Sequence, residues 1–278
     1  MSAWLITGVG SGLGAALARA VLAKGGIVAG TARRPRDLDA FEALAPDRAI
    51  GFQLDLRDEA AVPAVVEAAE AATGGIGVLV NNAGFGLVGA VEEASLAEAR
   101  AQFEVNVFGP LAAIQAVLPY MRARRAGHIV NVTSVSGVAT WAGTGVYCAS
   151  KFALEAIGLT LADEVAPFGI SVTNVEPGGM RTDYAGRSLV VAQARIEDYD
   201  AGPARQARDI LADHAGHESG DPDKVAEAIL AVVASDSPPR RLLLGADAVH
   251  YATRQWAAAQ AELGEWAKLA LSTGFDQT

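Results

Sequence analysis

Tyr147 and Lys151 stand four residues apart in Tyr147-Cys-Ala-Ser-Lys151, inside a segment with helical periodicity. Residues four apart share one face of an α-helix, so a phenol and an ammonium become neighbours. A phenol of pKa about 10 is a poor acid or base at neutral pH until a cation stabilises its anion, and each unit of lowering takes about 1.36 kcal/mol of interaction. The pair therefore suits proton transfer to or from an oxygen. A second pattern is Thr7-Gly8-Val9-Gly10-Ser11-Gly12-Leu13-Gly14, which follows an apolar run and opens a helical segment. Bare backbone lets such a turn approach a pyrophosphate, and the unpaired N–H groups of the helix attract the anion. The spacing Gly-x-x-x-Gly-x-Gly lacks the Gly-Lys-Ser/Thr ending of a nucleotide-hydrolysing loop.

The end of the next apolar run should show which dinucleotide the turn holds, because a carboxylate there would bond the adenosine ribose hydroxyls. The sequence instead reads Thr31-Ala32-Arg33-Arg34, with no carboxylate before Asp37. A guanidinium fork at Arg33 or Arg34 suits a 2′-phosphate, which favours NADP(H) over NAD(H). The alternative is that both arginines are solvated loop charges near Asp37 and Asp39.

These groups need a scaffold, and the chain alternates short apolar runs with longer helix-period segments. That alternation implies an α/β, Rossmann-type doubly wound domain: a parallel sheet with helices on both faces. Seven strands are expected, at Ala3–Thr7, Ile27–Thr31, Ala49–Asp55, Ile76–Asn81, His128–Thr133, Ile170–Val175 and Arg241–Gly245. Helices are expected near Leu13–Lys24, Asp37–Leu44, Glu59–Ala72, Ser95–Arg122, Val146–Ala166, Asp223–Ala234 and Ala248–Leu271. Gly109 and Pro110 make Ser95–Arg122 either two helices or one bent one. No linker or repeat divides the chain, so 1–278 reads as one dinucleotide-binding domain. Gly178–Gly220 shows no regular pattern, and so long an excursion suggests a lid or substrate segment.

Composition excludes other classes. The 278 residues are 51% hydrophobic and 19% charged, with net charge −10, which excludes intrinsic disorder and leaves no basic excess for nucleic acid. The lone Cys148 cannot form an internal disulfide, which points to a reducing cytoplasm. The apolar first 23 residues lack the early positive charge of a signal peptide, and no stretch reads as a membrane span. His128, His214, His217 and His250 give no metal pattern, so no metal is expected.

Further motifs follow in order: Asn81-Asn82-Ala83-Gly84, Asn106 within Val-Asn-Val, Ser134 thirteen residues before Tyr147, and Pro177-Gly178 with Thr182. With the glycine turn and the Tyr/Lys pair, the chain resembles the short-chain dehydrogenase/reductase family in its compact form, up to about Gly245. The resemblance implies hydride transfer between a nicotinamide and a carbonyl or alcohol. Tyr147 would be the acid/base, Ser134 would bond the substrate oxygen, Lys151 would bind the nicotinamide ribose, and Asn106 would hold a relay water. It also implies that Gly8, Gly10, Ser11, Gly12, Leu13 and Gly14 carry the pyrophosphate. Asp55 and Leu56 would meet the adenine, Asn82, Ala83 and Gly84 would border the adenosine, and Pro177, Gly178 and Thr182 would pass the nicotinamide. One departure stands out: NADP(H)-preferring relatives often place a basic residue where Ser11 stands.

Val138 and Trp141, in the loop before Tyr147, are candidate apolar walls for a substrate, although Trp141 suits packing beneath the loop or a subunit contact equally well. Met180, Tyr184 and Leu189 are candidate lid residues, whereas Asp198–Asp200 and Arg205–Arg208 read as solvated charges. The expected substrate is a small, uncharged, moderately apolar ketone, aldehyde or secondary alcohol. Tyr251, Trp256, Leu263, Trp266 and Leu269 form a stripe on the last helix, either core cover or a partner surface. The resemblance suggests a homodimer or homotetramer. Rival readings are an NAD(H)-preferring alcohol dehydrogenase of the same family, a catalytically weak dinucleotide sensor, and a nucleotide-sugar epimerase or dehydratase on the same fold, which generally needs a larger C-terminal domain.

Overall fold

Alternating side chains along each central strand enter two different cores. Ile6, Val78, Val80 and Val130 pack into one apolar cluster, and Leu5, Leu79 and Ile129 into another on the opposite face of the sheet. Side chains of a strand alternate in direction, so a sheet buried on both faces needs unbroken apolar runs. In the computed structural model, which describes residues 2–182, 188–213 and 216–275, this requirement yields one seven-stranded parallel sheet.

In chain order the main-sheet strands and their helices begin with β1 (Ala3–Thr7), α1 (Gly12–Ala23), β2 (Val28–Ala32), α2 (Pro35–Glu42), β3 (Ala49–Gln53), α3 (Ala61–Thr73) and β4 (Ile76–Asn81). After a short β5 (Gly86–Val88) come α4 (Leu96–Phe103), α5 (Gly109–Arg124), β6 (Gly127–Val132), α6 (Gly145–Val165) and β7 (Ile170–Pro177). The chain continues through a short β8 (Leu189–Val191), α7 (Pro203–Asp213), α8 (Pro222–Val233), β9 (Arg241–Leu244) and α9 (Ala246–Leu271). The order across the sheet is β3-β2-β1-β4-β6-β7-β9. It reverses direction between β1 and β4, and the carboxyl ends of strands at such a switch point form the crevice where ligands bind in doubly wound sheets.

The expected Rossmann-type architecture stands, with differences at the ends of elements. β7 runs two residues further than expected, to Pro177, because Asn174–Pro177 pair with Arg241–Leu244 of β9. β3 stops at Gln53 instead of Asp55, whose carboxylate turns to Arg57. The Ser95–Arg122 segment is α4, a π-turn at Glu104–Phe108 and α5, with the Ser95/Glu98 capping box at its start. The π-turn carries Asn106, and single π-turns inserted in helices gather at functional sites.

The Gly178–Gly220 excursion is more ordered than its sequence implied. It supplies β8, which pairs in parallel with β5 as a small second sheet, and α7. Its ends are joined by a bridge between Met180 and Gly220. By length and composition alone, Gly145–Phe168 is apolar enough to cross a membrane; in the fold it packs on β7, with Leu154, Glu155 and Gly158 among its buried residues.

Candidate active site

The glycine turn leads from β1 to α1. Gly8 adopts φ +77°, a left-handed conformation that glycine reaches without the penalty other residues incur. Gly14 is packed so closely that a Cβ there would overlap the carbonyl of Gly8 and the amide of Asn82. Asn82 donates from Nδ2 to the carbonyls of Thr7 (2.8 Å) and Gly8 (3.1 Å), and the N–H groups of Asn82 and Ala83 donate to Thr7 Oγ1 at 2.9 and 3.0 Å. The end of β4 thus braces the turn. α1 begins at Ser11 with no side-chain cap and no acidic residue in its first turn, so its N–H groups are left for an anion. The side chain of Leu13 is buried in the core, so only its backbone faces that space. A dinucleotide pyrophosphate fits this cradle. Thr182 stands over it, 3.6 Å from where a Cβ on Gly12 would lie.

The two arginines after β2 differ. Arg34 forms a forked ion pair with Asp37 at 2.7 and 3.0 Å, and that carboxylate lies beside Gly10. Arg33 is exposed and has no ion-pair partner among the described residues. Asp55 is held by Arg57, whose hydrogen bonds keep its carboxyl below the usual range, and Leu56 is buried against Gly109.

At the neighbouring strand ends, α6 carries Tyr147 and Lys151. The Lys151 Nζ lies 5.8 Å from the centre of the Tyr147 ring and donates to the Val132 carbonyl at 3.0 Å. Only 6% of Lys151 is exposed, and burial pulls its ammonium from 10.5 down to about 8, opposed by the nearby charge of Glu155. A Cβ on Gly84 would sit 3.1 Å from Asn106 Oδ1 and 3.7 Å from Lys151 Nζ, so the β4 turn passes directly beside the pair. The buried amide of Asn106 accepts from the Phe85 N–H at 3.1 Å and donates to the Phe85 carbonyl and to Ser150 Oγ. Ser134, half-buried just past β6, accepts the Ser136 N–H at 3.0 Å, which leaves its hydroxyl proton available to an incoming oxygen.

Of the expected substrate walls, Val138 is buried, and Trp141 stacks edge-on against Tyr251 of α9 with ring centres 5.3 Å apart. Gly178 closes β7 by donating to the Leu244 carbonyl at 2.9 Å, and the Gly179 N–H donates to Asp247 at 2.7 Å. Tyr184 and His214 lie outside the described residues. Arg205 is not a solvated charge: it pairs with the buried Glu93 at 3.1 Å and with Asp200 at 2.9 Å, because the excursion folds back over the segment after β5. The sequence motifs assign no role to the hydroxyls of Thr7 and Ser150 or to the carboxylates of Glu155 and Asp247. Each acts through contacts with elements distant in the chain, and only the position of Glu155, four residues after Lys151, was a visible signal. Among the described residues, no group of three His, Cys, Asp or Glu side chains is arranged to hold a metal.

Comparison with known proteins bears on the family and the fold. A family model of short-chain dehydrogenases matches residues 2–189. An oxidoreductase of Botryotinia fuckeliana is 37% identical over 97% of this chain and 98% of its own length. A 3-ketodihydrosphingosine reductase of Bacteroides thetaiotaomicron is 36% identical, covering 87% of each chain. The crystal structure of a short-chain dehydrogenase from Streptomyces avermitilis superimposes with a TM-score of 0.92, at 41% identity over 98% of both chains. A metagenomic short-chain oxidoreductase solved with NADP (27% identity, TM-score 0.68, 87% and 96% covered) and a Burkholderia phymatum enzyme solved with NAD (25%, 0.77, 100% and 98%) show both cofactors on this fold. With this fold, the glycine cradle and the Tyr147–Lys151 pair, the chain belongs to the short-chain dehydrogenase/reductase family of oxidoreductases.

Proposed function

We propose that the protein is an NADP(H)-dependent oxidoreductase that interconverts an uncharged, apolar ketone or aldehyde with its alcohol, using Tyr147 as the acid/base. The observation that carries this reading is the buried Lys151 ammonium beside the Tyr147 ring, next to Gly84 and Asn106. When bound, the nicotinamide supplies or removes hydride. Tyr147 gives its proton to the carbonyl oxygen in reduction and takes it back in oxidation, with Lys151 stabilising the phenolate between. Ser134 donates its free proton to the same oxygen as negative charge develops there. Asn106 fixes the Gly84–Phe85 backbone against Lys151, where a relay water would sit. Absorbance of the reduced nicotinamide, followed over a panel of carbonyls and alcohols with each cofactor, tests the reading. A strict requirement for a carboxylate or phosphate on the substrate would overturn the uncharged assignment.

The preference for NADP(H) now rests on Arg33, since Arg34 is occupied by Asp37. A hydrogen bond to a charged group is worth about 1.5–3 kcal/mol, so Arg33→Ala should raise KM for NADPH by about 10- to 100-fold and leave KM for NADH nearly unchanged. Equal effects on both cofactors, or a native preference for NADH, would refute it. An apolar ketone agrees with the apolar Val138 wall and with the reductase relative named above.

Self-association is part of the same proposal, as is residence in the cytoplasm, where a reduced Cys148 is at home. Residues 252, 256, 259, 263, 266 and 270 of α9 follow the alternating four- and three-residue spacing of a coiled-coil seam, and Trp256, Leu263 and Trp266 on it are exposed. Replacing Trp256, Leu263 and Trp266 with Gln should convert the oligomer to monomer in sedimentation velocity. A wild-type chain that already sediments as a monomer at micromolar concentration would exclude this use of α9.

A further inference from the structure

A ladder of polar side chains crosses the sheet behind Lys151. Asn81, Asn131, Asn174 and Arg241 are in register on the adjacent strands β4, β6, β7 and β9. Asn81 donates to Asn131 (2.9 Å), Asn131 to Asn174 (3.0 Å), and Asn174 to the Glu155 carboxylate (2.8 Å). Glu155 is on α6, one turn beyond Lys151 and 2% exposed, and a Cβ on Gly158 would overlap the amide of Asn174. The donors therefore converge on one buried carboxylate.

A second buried carboxyl adjoins it. Glu176 of β7 is fully buried, and both its oxygens lack a hydrogen-bond partner among the described residues. The Arg241 guanidinium lies 3.4 Å from Glu176 and 3.6 Å from Glu155. Two adjacent buried carboxylates facing one partly exposed arginine cannot both stay ionised without a large penalty. Burial and the Glu155 charge accordingly push Glu176 up to about 8. Thr133 faces the same carboxylate. Its single hydroxyl proton has two acceptors in reach, Glu155 Oε1 at 2.5 Å and the Val175 carbonyl at 2.9 Å.

We propose that Glu155 and Glu176 share one proton, and that the resulting single negative charge at Glu155 holds the Lys151 ammonium in its buried site, making Glu155 a positioning residue that acts through Lys151. The inference rests on the acid/base reading of Tyr147 and Lys151. The charged groups facing Glu155 are Lys151 on its own helix, Glu176 from β7 and Arg241 from β9. The Lys151 cation is present below pH about 8 and is lost as pH rises through it. Removing the Glu155 charge moves that loss to lower pH and withdraws support from the Tyr147 phenolate.

The test is the pH profile of kcat/KM for alcohol oxidation in the whole enzyme, read with cofactor binding. Glu155→Gln should lower kcat on the order of tenfold near pH 7 and move the Tyr147 limb up by about one pH unit, with a smaller change in NADP+ affinity than in kcat. Glu155→Asp should restore part of both. Glu176→Gln, an isostere of the protonated acid, should keep the wild-type rate at pH 7. The infrared spectrum of the wild-type protein at pH 7 should show a buried carboxylic-acid C=O band that Glu176→Gln removes, a reading that does not depend on Glu155→Gln folding. An unshifted limb in Glu155→Gln, an absent acid band, or an equal loss in Glu176→Gln at pH 7 would each overturn the proposal. If Tyr147→Phe is inactive while the Glu155→Gln limb is unmoved, only this inference fails; if Tyr147→Phe retains turnover, the underlying reading fails.

Discussion

Tyr147→Phe should abolish turnover while leaving dinucleotide binding intact. The substitution removes one oxygen and keeps the ring that lies 5.8 Å from Lys151 Nζ, so the packing of α6 at this point is preserved. What disappears, in the mechanism proposed above, is the proton given to the substrate oxygen. Positioned acid–base catalysis contributes about 10²–10⁴-fold. Single-turnover absorbance should therefore show a rate loss of at least about 10²-fold, with cofactor affinity by fluorescence titration unchanged. Turnover at the wild-type rate would remove Tyr147 from the mechanism. A matched loss of cofactor affinity would mean that Tyr147 holds the dinucleotide and is not the proton donor.

Gly14→Ala is expected to damage both stability and cofactor binding. The added methyl would meet the Gly8 carbonyl and the Asn82 amide, and neither can retreat, because Asn82 is bonded to Thr7 and Gly8 at 2.8 and 3.1 Å. Overpacking costs about 1–3 kcal/mol and each hydrogen bond lost about 1 kcal/mol, so a total near 3 kcal/mol is expected. For a chain of this size that corresponds to a fall in Tm of about 6–12 °C. Dinucleotide affinity should fall by about 10²-fold, because α1 must tilt away from the anion it faces. Gly264→Ala is the control. It sits on α9 with nothing within 4 Å, where alanine should be neutral or stabilising by about 0.5–1 kcal/mol. Equal melting curves for Gly14→Ala and Gly264→Ala would show that the turn has room that its geometry denies.

The central strands were legible because burial on both faces demands unbroken apolar runs, and β1 and β4 begin and end where the pattern places them. β5 and β8 were not. Three residues each are too short for a period, and their pairing joins positions about a hundred residues apart. α7 was hidden for a different reason. Its Pro203–Asp213 sequence interleaves charged residues with small and apolar ones, and one ion pair that holds it, Arg205 with Glu93, joins it to a segment more than a hundred residues away. Trp141 was ambiguous as pocket wall or packing residue, and its contact with Tyr251 depends on where α9 lies.

By itself, the sequence determined the order of strands and helices, the glycine cradle and the four-residue spacing of Tyr147 and Lys151. These follow from local rules: strand and helix periods, glycine at a tight turn, and a shared helical face. The tertiary structure alone decided that Asn82 braces the turn from β4 and that Glu155 and Glu176 meet behind Lys151. Charges and hydrogen bonds act through space over a few ångströms, and the groups that set them come from strands distant in the chain.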